Sequence, residues 1–403
     1  MVNLDTLCWY LKIYLYRMET VSCKFNKKDA EKIFFNGLLK VSVNSFSSLS
    51  VLPSKNDWQF LYNLAEKQAL LGVCFYAIKR LPSEQTVNLP LKLKMQWLGM
   101  AVMIEKRNRL MNERCHELSS RLSALGFNSC ILKGQGLAAI YNQIDDTNSL
   151  GVLRQPGDID IWVEGGLLSL QVLAKKLHQP FKVTEQHSDL KFFDDVEVEA
   201  HFIPTMLSDP FVNRRLQRWI KNLEKNQFAN KKDLNFCVPT LEFNLVYLLI
   251  HTYRHLFGEG VGLRQVMDYY VLLNSTEVKE LTPEAWNRTK KEALSELSSL
   301  NLEGFTAGMM WVLSEVFGLK EELMLCNPCK KNGEFILNEI MLAGNMGHYD
   351  ERLKSLYQVS KMKRFLMRNI HTFRLLRLYP LETIFTPLSR MWIWVWRKSR
   401  GWV

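Results

Sequence analysis

Strand-like patterning is confined to one stretch of this chain, and that confinement limits the fold more than any other feature of the sequence. Short runs with strand character, NSCIL (Asn128–Leu132), DIDIWV (Asp158–Val163), DLKFFD (Asp189–Asp194) and VEVEAHFI (Val196–Ile203), all fall between residues 128 and 203. On both sides the apolar residues recur at intervals of three and four, the spacing of a helix that buries one face. The pattern predicts an α+β fold, with a small mixed-sheet core flanked by helical N-terminal and C-terminal regions.

The boundaries follow from where the period changes. Residues 1–110 read as a helical N-terminal region, 111–236 as the α+β core and 237–403 as a helical C-terminal domain with a basic, Trp-rich tail; a chain of 403 residues is long enough for two or three domains. In the first region, DWQFLYNLAEKQALLGVCFYAI is helical with Asp57 as its expected N-cap, and a long helix runs from Leu91 to a stop at Gly126. Within the core, GQGLAAIYNQ opens a helix at a Gly-rich turn, DDTNS is a polar loop, LLSLQVLAKKLHQ is a helix, and a two-stranded hairpin is expected across Asp194 and Asp195. Thr240 is placed to cap the helix that resumes after Pro239.

Why would a strand as apolar as GDIDIWV carry two like charges? Alternation sends Ile159, Ile161 and Val163 to one face and Asp158, Asp160 and Trp162 to the other, so the two carboxylates share what reads as an open face. Side by side they repel unless one is protonated or a cation lies between them, and a divalent ion with oxygen ligands resolves the conflict. The later strand repeats the logic: Val196, Val198, Ala200 and Phe202 face the core, and Glu197, Glu199 and His201 face the other way. Three carboxylates on neighbouring strands suit Mg²⁺ or Mn²⁺, the ions that activate a hydroxyl and stabilise a leaving pyrophosphate. The turn Lys133–Gly136, LKGQG, joins a strand to a helix start where N–H groups can cradle phosphate, although its spacing matches neither a Walker loop nor a dinucleotide fingerprint.

The succession LKGQGLAAIY, LRQPGDIDIWV and VEVEAHF resembles the polymerase-β-like nucleotidyltransferase superfamily, and more closely a branch of uncharacterised bacterial nucleotidyltransferases with the signature KG, helix, R-x-x-GDIDI, E-x-H. The resemblance extends to DWQFLYNLAEKQALLGVCFYAIKRLP before the core and HTYRHLFGEGVGLRQVMDYYVLL after it, most of the chain. It implies that Asp158 and Asp160 bind the metals and that Glu199 is the third, catalytic carboxylate, with Glu197 a competing assignment. It also implies that Lys133 and Gly134 take the place of the superfamily's phosphate-turn pair, within the candidate phosphate turn that Gln135 and Gly136 complete. In the superfamily that turn carries Gly-Ser; the Lys-Gly here removes a serine hydroxyl and leaves Lys133 either to supply charge or to face solvent. Arg154 is a candidate for a triphosphate oxygen or for a salt bridge to Asp145 or Asp146. His201 can orient Glu199, contact substrate or be structural. His251 and His255 share a helix face without the glutamate of HExxH, and Arg264 and Asp268 are spaced to pair.

The net charge of +11 fits an RNA, a nucleotide or an anionic membrane as well as plain solubility. It gathers in KMKRFLMRNIHTFRLLR, a basic amphipathic helix, and in MWIWVWRKSRGWV, whose tryptophans either pack on the body or meet a bilayer interface. Eight scattered cysteines, with CNPC lacking a second ligand pair, argue against a disulfide scaffold or a zinc site and for a cytoplasmic setting, peripheral to the inner membrane if the tail binds lipid. The opening apolar stretch is a poor signal peptide, no run spans a bilayer, and Met18 is an alternative start. The expected activity is Mg²⁺-dependent transfer of NMP from an NTP to an RNA, small-molecule, sugar or protein acceptor. The rival is a nucleotide-binding or scaffold protein that keeps the fold without turnover.

Overall fold

A computed structural model describes residues 28–43, 48–143, 150–231, 234–353 and 360–402. The opening apolar stretch, Met18, the DDTNS loop and the Asp145 and Asp146 alternatives for Arg154 lie outside the described residues. Four helices come first: α1 (Lys28–Val43), α2 (Lys55–Lys67), α3 (Leu71–Arg80) and α4 (Leu91–Ala124). The stretch read as continuous from Asp57 is two helices, because Ala69 takes φ 55° and breaks the ladder. The cap is Ser54, whose hydroxyl accepts from Asp57 N–H while the Asp57 carboxylate accepts from Ser54 N–H. Asp57 is thus the reciprocal partner of a capping box rather than the N-cap. Helix α4 runs as expected and stops at Gly126, φ 84°.

The core follows as β1 (Ser129–Ile131), α5 (Gln135–Tyr141), α6 (Leu150–Leu153), β2 (Ile159–Val163), α7 (Gly166–Lys176), β3 (His187–Asp189) and β4 (Val198–His201). The strands form one mixed sheet ordered β1-β2-β4-β3, antiparallel at both edges and parallel between β2 and β4. The hairpin exists, but its first strand ends at Asp189 instead of spanning Asp189–Asp194. Phe192 turns into the core, and its carbonyl accepts from Arg121 Nη1 at 2.9 Å, which takes it out of any strand ladder.

Alternation in β2 divides two packed layers. Ile159, Ile161 and Val163 join Leu118 and Leu122 of α4 and Leu170 and Leu173 of α7 under the sheet. On the opposite face Trp162 enters the larger helical core, stacking on Phe243 at 5.9 Å. That core is completed by α8 (Pro210–Gln227), α9 (Leu241–Phe257), α10 (Leu263–Leu273), α11 (Thr276–Lys279), α12 (Pro283–Ser299), α13 (Glu303–Phe317) and α14 (Lys330–Ala343). Thr240 caps α9, its hydroxyl accepting from Phe243 N–H. Helices α15 (Lys361–Thr372) and α16 (Pro380–Ser399) end the described chain.

Candidate active site

Parallel pairing sets Asp160 of β2 directly opposite Glu199 of β4, and Trp162 opposite His201; β3 then adds Asp189 beside Glu199 and His187 beside His201. Because cross-strand partners point the same way, an acidic row and an aromatic row lie side by side on one face of the sheet. Asp158, one pleat before Asp160, completes a group of three carboxylates, Asp158, Asp160 and Glu199, whose ligand oxygens all lie within 4.8 Å of one another. His187, Glu199 and His201 form a second group of the same compactness. Glu197 belongs to neither and is exposed.

The face is less open than alternation alone suggests. Asp160 is 2% exposed, roofed by Lys133, whose Nζ lies 3.2 Å from its Oδ1, and joined by His201, whose Nε2 lies 3.0 Å from the same oxygen. His201 Nδ1 meets the Ile203 carbonyl at 3.4 Å. Both ring partners are acceptors, so making both bonds requires an imidazolium. Burial opposes that charge, but hydrogen bonds to Asp160 and Glu199 raise the His201 pKa. Burial likewise penalises ionised Asp160, yet the Lys133 charge and the His201 bond hold it well below the usual carboxylate range. Asp158 behaves oppositely: the Asp160 charge, with burial second, lifts it to about 6. The two like charges are thus reconciled by cations the chain itself supplies and by a proton that Asp158 holds more tightly than an ordinary carboxylate does.

The turn before α5 fits tightly on β1. Gly134 takes φ 59°, and a Cβ on Gly136 would come within 2.8 Å of the Ile131 carbonyl. Gly136 N–H bonds the Lys133 carbonyl at 3.1 Å. Gln135 is buried and donates to Asn112 Oδ1, so its amide faces α4 rather than the site. Lys133 carries the turn's charge to the acids.

Arg154 points elsewhere than expected. It is buried, and its Nε and Nη2 fork onto Asp268 at 2.7 and 2.8 Å, with Tyr141 Oη donating to the same carboxylate at 2.6 Å. A guanidinium engaged on both sides of its fork is not available to phosphate. Arg264, expected to pair with Asp268, instead donates Nη1 to the Gln155 carbonyl at 2.9 Å, beside Gly157. Its pKa is lowered by burial and by the Arg154 charge, while Asp158 acts in the other direction.

Two features escaped the sequence reading. His251 Nε2 lies 3.1 Å from Lys133 Nζ and 2.9 Å from His255 Nε2, and His255 Nδ1 lies 3.0 Å from Glu259, so a polar chain leads from Asp160 to the outer end of α9. The i,i+4 spacing of the histidines was the available signal, but nothing local tied them to Lys133. A cleft of about 650 Å³ reaches the acids from the β3–β4 side, where Gly157 and Glu199 line it with Asp189, Lys191 and Glu197. Glu199 is the carboxylate of the three that borders this cleft.

All three clustered carboxylates present hard oxygen donors, a set that fits Mg²⁺ or Mn²⁺ better than a thiophilic metal. A family model described as an uncharacterised nucleotidyltransferase matches residues 54–318. No curated protein and no solved structure matches the chain.

Proposed function

The chain belongs to the uncharacterised nucleotidyltransferase family, and from that premise we propose that it transfers a nucleoside monophosphate from an NTP to an acceptor hydroxyl or phosphate at Asp158, Asp160 and Glu199. The observation that carries this reading is the pairing of Asp160 with Glu199 on parallel strands, which with Asp158 gathers three carboxylates within one ion's reach. A divalent Mg²⁺ or Mn²⁺ held by these carboxylates would neutralise the polyphosphate and lower the pKa of the acceptor oxygen.

The protein's own groups divide the remaining work. Glu199, bordering the cleft, takes the acceptor's proton. As the acceptor oxygen bonds to the α-phosphorus, the bond from that phosphorus to its bridging oxygen breaks, and pyrophosphate leaves with the electron pair. Lys133 holds phosphate charge, and Arg264 replaces Arg154 as the guanidinium at the GDID turn. His201, bonded to Asp160 and near Glu199, positions both carboxylates. The strand, KG turn, GDIDI strand and E-x-H strand support a polymerase-β-like arrangement in which residues 111–236 hold the carboxylates and Lys133, and the helical regions on either side wall them and add Arg264. RNA, a small molecule, a sugar and a protein are the acceptor classes to screen.

Pyrophosphate release is measured with each NTP, Mg²⁺ or Mn²⁺ and fractionated acceptors, for the wild type and for Asp160→Asn of unchanged circular dichroism. Release should fall to background in the variant. Wild-type rates there would overturn the site, and NTP binding with no turnover on any acceptor would leave a nucleotide-binding protein in place of an enzyme.

A further inference from the structure

Helix α16 is amphipathic in the reverse sense to a surface helix. Toward the body it turns polar groups: Glu382, Thr383 and Thr386 are buried, and Glu382 accepts from Ser208 N–H at 2.6 Å and Asp209 N–H at 3.1 Å. Arg390 donates to the Phe257 carbonyl and to Asn369 Oδ1, both at 2.7 Å. Outward, at helical spacing, stand Leu381, Ile384, Leu388, Met391, Trp392 and Val395, between 46% and 68% exposed. A helix docked only against its own protein does the opposite, burying its apolar stripe. Phe365, Leu366, Phe373 and Leu376, on α15 and the turn after it, are also more than a third exposed. This is far more apolar surface than the single residues any protein displays.

The charge of the same segment identifies the occupant. Residues 361–403 hold ten Lys and Arg against one acid, Glu382, while the rest of the chain is nearly balanced. Since Glu382 is buried and hydrogen-bonded, the charge this segment presents is positive. Tryptophan and basic residues meet at its end: Trp392 and Trp394 are exposed, Lys398 lies over Trp394 at 4.9 Å, and Arg400 over Trp396 at 5.2 Å. Trp402 packs edge-on against Phe181 at 5.6 Å and secures the end of the helix to the body.

We propose that α16, together with α15, is a docking surface for an anionic lipid bilayer. The aliphatic stripe enters the boundary between headgroups and acyl chains, and the tryptophans and basic side chains sit at the phosphates. A second copy of the chain would bring two positive faces together. An RNA would answer the charge but leave the aliphatic stripe in water. Among the described residues no helix is long and apolar enough to cross a membrane, so α16 lies along the surface. This proposal is independent of the nucleotidyl-transfer site.

The test is co-sedimentation of the full chain with vesicles of phosphatidylcholine alone and with phosphatidylglycerol added. The protein should pellet with the anionic vesicles and do so less as salt rises. Leu388→Glu with Trp392→Glu, both at exposed positions, should lower the partition coefficient more than about tenfold without moving Tm, and Lys398→Ala with Arg400→Ala should lower it about thirtyfold. Failure to pellet with either vesicle, or undiminished pelleting of the Glu variant, would overturn the proposal. So would a dimer in light scattering that the Glu variant converts to monomer, or RNA binding that the Glu variant abolishes and vesicles do not compete away.

Discussion

Arg154 offers the sharpest separation of a structural from a substrate role. Its guanidinium and the Asp268 carboxylate are both buried and doubly bonded, with the Tyr141 hydroxyl as a third member. Arg154→Met leaves Asp268 ionised in a dry setting with one hydroxyl donor, and breaking a buried pair from one side costs about 3–5 kcal/mol. For a cooperative unit of ~250 residues, at ~2.1 cal/mol/K per residue, that loss lowers Tm by about 6–10 °C. Arg154→Met with Asp268→Leu removes both charges and should recover part of the loss. What remains is the stranded Tyr141 hydroxyl, worth ~1–3 kcal/mol, which Tyr141→Phe should return. The assay is thermal unfolding followed by circular dichroism for the single, double and triple variants, with NTP binding measured alongside. A single variant that keeps the wild-type Tm but loses NTP affinity would refute the reasoning, because it would mean that Arg154 works on phosphate.

Asp158 should give the protein a distinctive acid response. Its folded pKa of about 6 exceeds the unfolded carboxylate value of ~3.9, so the folded state binds a proton the unfolded state does not. Its contribution to stability therefore grows as pH falls from 7 to 5, by about 1.3 kcal/mol, and levels off below the unfolded pKa. Urea midpoints measured without added metal should show this gain in the wild type and lose it in Asp158→Asn; parallel pH profiles for the two proteins would contradict it. The identity of the third acid is equally open to measurement. Glu199→Gln should weaken Mn²⁺ binding by at least about tenfold, as read by electron paramagnetic resonance, whereas Glu197→Gln should leave it within about twofold. The reverse ranking would transfer the role to Glu197.

Local periodicity carried much of the fold. Six residues were enough to set Asp158 and Asp160 apart from Ile159 and Ile161, and a single run of apolar spacing fixed α4 from Leu91 to its glycine stop. Where two residues obey one local rule, the sequence alone misassigns them: Ser54 and Asp57 are both good caps, and the box uses both. Phe192 and Phe193 look like strand residues, yet Arg114 and Arg121 of α4 hold those rings and the Phe192 carbonyl, a contact across dozens of intervening residues. The same distance problem hid the partners of the site. Arg154 finds Asp268 and Lys133 finds His251 more than a hundred residues away, and no pattern near either residue encodes where α9 and α10 settle over the sheet. The sequence left the tryptophans of α16 either packed on the body or at a bilayer interface, because hydropathy records that a face will be covered and not what covers it.

The parallel union of β2 and β4 also constrains when the site can exist. Antiparallel neighbours can meet through a tight turn, but parallel ones must wait for a whole crossover, here α7 and β3, to be made and folded back. During synthesis Asp158 and Asp160 therefore emerge well before Glu199, and His251 emerges later still. A nascent chain that stops short of β4 holds the two aspartates and Lys133 but neither Glu199 nor His201, so a fragment ending there lacks the third carboxylate of the proposed site. The order of the strands thus places completion of the proposed site late in the chain, after the crossover that brings β4 beside β2.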